Sequence, residues 1–234
     1  MKFTNLLSCA FGAAVIATSL STLIAYRDSY AGELSAASQK FEQNESCCGP
    51  INSAGKKLLN VLDAADVEHL WLPRQYVNWE TGEPEAGSSV FTSHCSAFTA
   101  AIGKRLNVYM LRPPEHSPLL LASAQTAWLG RDEGKKAGWI RITSDEEAQR
   151  LSNAGQLVVA TYESPYPRKP GHIAIVRPSS KTLAELIEDG PEITQAGGKN
   201  YSSTSVRVGF KHAGSYPSRV PYFAHIIPND FSTN

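Results

Sequence analysis

The order in which two kinds of pattern occur constrains this chain more than any other feature. Apolar residues recur at helical spacing up to about Gly155, and short β-branched or aromatic runs divided by Pro and Gly follow. The runs are 156–162, 172–177, 192–196, 206–210 and 222–227. Only residues 163–171 separate the first two, too few for a parallel crossover and suited to a hairpin. Helices first and strands second is an α+β order, so a layer of helices packed on one antiparallel sheet is expected. There is no internal repeat and no low-complexity block.

The helical half divides at recognisable punctuation. Ser53 can cap a helix running to about Ala65, with Leu58, Leu59 and Leu62 on one face. Residues 71–89 hold Pro73, Gly82, Pro84 and Gly87 and read as a long loop. A second helix is expected over 95–106, capped by Thr92 or Ser93, with Phe98, Ala101, Ile102 and Leu106 turned to the core. Ser117 with Pro118 at the first helical position opens a third, apolar helix that ends before Gly130 and carries Trp128 into the core. Ser144-Asp145-Glu146-Glu147 is a capping box for a fourth.

A length of 234 residues with 42% hydrophobic content supports one sizeable core. The 22 basic and 22 acidic side chains cancel, so no overall field draws the chain to nucleic acid or to an anionic membrane surface. Lys2 precedes an apolar stretch from Leu6 to Ala25, and Ser29-Tyr30-Ala31 offers small residues for cleavage. Residues 1–31 therefore read as an export signal, 32–49 as a polar spacer and 50–234 as the folded domain. The stretch is also long enough for an uncleaved membrane anchor, and Leu6-Leu7-Ser8-Cys9 loosely matches a lipoprotein box. All three readings put the domain outside the cytoplasm, secreted or periplasmic.

That compartment gives the cysteines meaning. Of four in the sequence, Cys9 leaves with the leader, and Cys47, Cys48 and Cys95 remain in an oxidising environment. Cys47 and Cys48 can pair with each other, which leaves Cys95 as a free thiol, or one of them can bridge to Cys95.

Cys95 stands at an expected helix start, where unpaired N–H groups and the helix dipole favour a thiolate. His172 opens a strand after Pro170-Gly171, sharing a face with Ala174 and Val176 and poised to look across at a packed helix. A thiol needs both influences to act as a nucleophile near neutral pH. His69, His212 and His225 have no partners at metal-ligand spacing, a zinc site from His94, Cys95 and His172 is a remote alternative, and no metal or other cofactor is called for.

In His94-Cys95-Ser96-Ala97-Phe98 and Gly171-His172-Ile173-Ala174-Ile175-Val176 the chain resembles the NlpC-like, papain-fold cysteine peptidases and amidases of bacterial cell walls and the related CHAP amidases. The resemblance covers roughly residues 88–196. It departs from the family at His94, where Asp or Asn is common, and at Ala97, where Gly is usual. It implies a papain-like fold, Cys95 as nucleophile, His172 as base, and a polar residue on the following strand to orient the imidazole. Gln195 is the expected orienting residue, with Glu192 and Asn200 as fallbacks. The oxyanion would be held by the Cys95 N–H and a second donor, His94 or a loop group such as Tyr76. Trp79 is a further candidate for the substrate groove, whereas Arg112, Glu115 and His116 read as a solvated loop. The expected function is cleavage of an amide in peptidoglycan stem peptides. The alternatives are a non-catalytic peptide- or glycan-binding module of the same fold, and an acyl or peptidyl transferase.

Overall fold

The computed structural model describes residues 46–87, 93–211 and 216–228. The expected leader, most of the spacer, Thr92 and His212 lie outside the described residues. Residues from Ser46 onward form one compact unit, of mixed helix and antiparallel sheet. The helices are α1 (Ser53–Ala64), α2 (Cys95–Arg105), α3 (Leu121–Leu129), α4 (Asp132–Lys136), α5 (Asp145–Asn153), α6 (Leu183–Asp189) and α7 (Val206–Gly209). The strands are β1 (Ile140–Ile142), β2 (Leu157–Tyr162), β3 (His172–Val176), β4 (Glu192–Gln195), β5 (Tyr201–Ser205) and β6 (Tyr222–His225). They form one antiparallel sheet in the order β1-β6-β2-β3-β4-β5.

The sheet is apolar on both faces because a layer covers each. On one side Ile173, Ile175, Val159 and Phe223 pack with Leu58 and Leu62 of α1 and with Phe98 and Ile102 of α2. On the other, Ala174, Val176, Val158 and Ala160 pack with Ala148 and Leu151 of α5 and with Val206 and Phe210. Central strands buried on two faces read as continuous apolar runs, which is why β2 and β3 were conspicuous in the sequence. Trp71, in the loop after α1, is fully buried and meets Phe98 edge to face, ring centroids 5.2 Å apart, a geometry worth about 0.5–1.5 kcal/mol beyond its area. Trp128 is only half-buried, standing edge-on to Tyr109 at the rim of the same core.

Several expectations are corrected. The cap of α1 is Asn52, whose side chain accepts from the Gly55 N–H at 2.8 Å, not Ser53. Residues 46–49, expected in the spacer, belong to the fold: Ser46 bridges to Thr182, the Cys47 N–H donates to the Lys181 carbonyl, and Cys48 is buried. The third helix begins at Leu121 rather than Pro118, because Ser117 Oγ accepts the Leu119 N–H in a local turn and Leu120 is left-handed (φ 55°), leaving Leu119 in solvent. Residues 206–210 are the single turn α7, not a strand, because Ser205 caps them through the Val208 N–H, and the edge strand is the polar run before them. Residues 178–190, read as a polar excursion, contain α6, opened by a complete capping box between Thr182 and Glu185.

Candidate active site

Cys95 is the first residue of α2 and 4% exposed. The preceding residue, His94, holds the N-cap position without making a side-chain cap, so neither Ser93 nor His94 closes the helix. Its ring is turned to the backbone of the loop before it, with Nε2 3.0 Å from the Gln75 carbonyl oxygen and a second hydrogen bond to Leu72. An uncapped start leaves the first N–H groups of α2 without intrahelical partners, and that of Ser96 points to the Cys95 sulfur. The carbonyls of this turn also take side-chain donors: Thr99 Oγ1, one turn on in α2, donates to the Cys95 oxygen at 2.9 Å, and Gln125 Nε2 from α3 donates to the Ser96 oxygen at 3.1 Å.

His172 is the first residue of β3, and Gly171 before it brings the strand close to its neighbours. A Cβ there would collide with the Tyr162 carbonyl oxygen and sit 2.9 Å from Ser123 Oγ, the group that accepts the Gly171 N–H at 3.0 Å. By alternation His172 belongs to the face of Ala174 and Val176, whereas α2 packs on the opposite face, against Ile173 and Ile175. The imidazole nevertheless meets the helix, as expected of a histidine that opens its strand beside a helix start. The two groups meet at the open end of β3, where the thiol hydrogen-bonds both to the His172 side chain and to the Ile173 N–H.

Gln195 completes the arrangement from the end of β4. Its Oε1 lies 2.9 Å from His172 Nε2, and its Nε2 donates to the Lys199 carbonyl at 3.1 Å, which orients the amide so that oxygen faces the ring. With Nε2 so engaged, Nδ1 is the nitrogen left to the sulfur. The fallbacks are used otherwise: Asn200 donates to the carbonyls of Val67, Leu70 and Trp71, and Glu192 pairs with Lys181 at 3.2 Å. Sequence reasoning missed Phe210, whose ring lies 4.7 Å from that of His172 between centroids, and Gly209, where a Cβ would fall 2.6 Å from Gln195 Oε1. The dipeptide Gly209-Phe210 following a Ser/Thr-rich run was the available signal, hidden by its resemblance to a strand.

The electrostatics follow from this contact. Burial alone would push the Cys95 thiol up, but the hydrogen bond and charge of His172, with the two N–H groups, hold it below the usual thiol range. Burial alone would likewise lower His172, and the same bond and charge from Cys95, with that of Gln195, raise it above the usual histidine value. The two shifts describe one pair, favouring thiolate beside imidazolium. Burial pushes His94 the other way, toward the neutral form.

Cys47 and Cys48 are bonded to each other and Cys95 is free, so the alternative bridge to Cys95 is not formed. Tyr76, Trp79 and His94 line one depression of about 180 Å³ beside Ser93, Ser96 and Ala97. His172 and Gln195 line a separate cleft of about 560 Å³. No cluster of His, Cys, Asp or Glu with the makings of a metal site occurs among the described residues, and no helix there is long and apolar enough to cross a membrane. No family model matches the sequence, and no curated protein matches it either.

Proposed function

We propose that this protein is an exported cysteine hydrolase of papain-like, NlpC-like fold that cleaves an amide bond, with peptidoglycan stem peptides as substrate. The observation that carries the reading is the chain of contacts from the Cys95 thiol to His172 and from His172 Nε2 to Gln195 Oε1 at 2.9 Å. A buried thiol with only a structural part to play has no need of an imidazole held in a fixed orientation. The cell-wall substrate rests on the family resemblance and the export signal together.

In this reading the Cys95 thiolate attacks the amide carbonyl carbon, and the oxyanion that forms is met by N–H groups at the start of α2. As the C–N bond breaks, His172 gives its proton to the departing nitrogen, leaving a thioester on Cys95. Water then attacks the thioester, His172 takes the water's proton, and the acid departs as the thiolate is restored. The contact of His94 Nε2 with the Gln75 carbonyl oxygen turns that ring toward the loop before α2 and helps fix the helix start. The contact between Cys95 and His172 favours an enzyme over a binding module with an idle cysteine.

Purified protein, Cys95→Ala and His172→Ala are compared on peptidoglycan fragments by chromatography and mass spectrometry, with melting curves for each. Both variants are expected to lose turnover while melting near the parent, because either removal disables the same proton-transfer unit. Cys95 should also react with iodoacetamide near pH 7 faster than free cysteine does. Undiminished cleavage by folded Cys95→Ala would overturn the mechanism.

A further inference from the structure

Residues flanking Cys95 line one depression and His172 lines another of different chemistry, and the mechanism says which half of a substrate each must hold. The proton passes from His172 to the nitrogen that leaves, so the amine component lies on the side His172 itself lines. The acyl carbon is bonded to sulfur, and the rest of the acyl group extends the other way, over the residues flanking Cys95. That smaller depression is walled by Trp79, Ala97, Pro118 and Leu121 and is mainly apolar. The larger one is not.

Among its walls are Tyr162, Tyr166 and Tyr201 with two ammonium groups, Lys169 and Lys199, and no carboxylate of the described residues lines it. Each lysine is stacked over a tyrosine, Lys169 on Tyr166 and Lys199 on Tyr201, both at 4.9 Å from ring centre. Neither forms an ion pair among the described residues. Glu68, in an adjoining depression with Lys199, is occupied by the N–H and hydroxyl of Ser202. Two cations stacked on aromatic rings, with no counter-charge among the described residues and in the cleft that His172 lines, are suited to an anion delivered with the leaving group.

Resting on the amide-cleaving reading, we infer that the cleft on the His172 side receives the amine component of the substrate and selects one that bears a carboxylate, with Lys169 and Lys199 as specificity-determining residues. The substrate class is thus a peptide amide, apolar or small on its acyl side and anionic on its amine side.

The test uses the parent protein, Lys169→Gln, Lys199→Gln and the double variant. Two alanine peptides, identical except for a C-terminal carboxylate or carboxamide on the amine component, are compared by kcat/KM. A preference for the carboxylate is expected, falling by roughly 1.4- to fivefold with each lysine, the range of exposed ion pairs, and shrinking with salt. No preference in the parent, or a preference that survives the double substitution, overturns the inference. A second readout separates this from failure of the hydrolase reading. Ala-Ala and Ala-Ala amide are tested for protection of Cys95 against iodoacetamide. If neither peptide is cleaved, the hydrolase reading fails for them, and stronger protection by Ala-Ala that the double variant loses still supports the assignment of the cleft. Equal protection by the two overturns it.

Discussion

Gln195 keeps its place only because residue 209 has no side chain. A methyl group at Gly209 would meet Gln195 Oε1 at 2.6 Å and Ile193 Cδ1 at 2.5 Å, so Gly209→Ala must drive the carboxamide off the imidazole. Gly209→Ala and Gln195→Ala are therefore expected to share a phenotype: turnover down by about ten- to a thousandfold, as for loss of one positioned hydrogen bond in catalysis. The pH profile distinguishes displacement from general damage. In the parent, the reactive form needs the thiol deprotonated and His172 protonated. Alkylation of Cys95 and turnover should both rise with pH through a value below the ordinary thiol range, and turnover, which also needs the imidazolium as acid, should fall through one above the ordinary histidine value. Since the Gln195 bond is among the causes that raise His172, both variants should bring the alkaline fall to lower pH. An unmoved alkaline limb in Gln195→Ala would detach Gln195 from the imidazole's function.

At the scale of elements, what could be read from sequence followed burial. The central strands β2, β3 and β6 were visible because both faces are covered and their residues are mainly apolar or aromatic, and β4 by its β-branched Ile193-Thr194. The edge strand β5, Tyr-Ser-Ser-Thr-Ser, was not, since an edge needs no such run, and the more β-prone Val206-Arg207-Val208 beside it was claimed by the Ser205 cap. The cysteine and histidine segments were legible for a related reason: each sits at an element boundary marked by its own chemistry. Their pairing was legible as a helix start set against a strand start, although alternation, which fixes only a face, did not show the ring of His172 packed against Phe210. Caps carry energy as well as position. Asn52→Ala removes the acceptor of the Gly55 N–H and a donor to the Ala154 carbonyl, and should destabilise the fold by about 1 kcal/mol in urea titrations. Ser53→Ala, one position into the helix, should cost only a few tenths of that amount.

Across the whole molecule, Cys47–Cys48 closes the smallest ring two residues can make, so it removes little freedom from the unfolded chain. The chain-entropy relation gives about 1 kcal/mol for such a ring, against about 4 kcal/mol for a bridge from Cys48 to Cys95. Reduction should accordingly lower Tm by no more than about 2–4 °C and leave turnover intact, whereas a drop of about 10 °C or more would expose the longer bridge. The bond lies beside Lys181, beyond the end of β3 remote from His172. The site itself is an agreement between layers: helix α2 supplies the sulfur, the sheet supplies the ring, and neither segment holds the other until both faces are packed. An unfolded chain therefore carries Cys95 as an ordinary, sluggish thiol, without imidazole, helix dipole or aimed amide hydrogens. Reactivity is acquired on closure. Alkylation of Cys95 at neutral pH is thus a stopwatch for folding, written into the molecule without a dye.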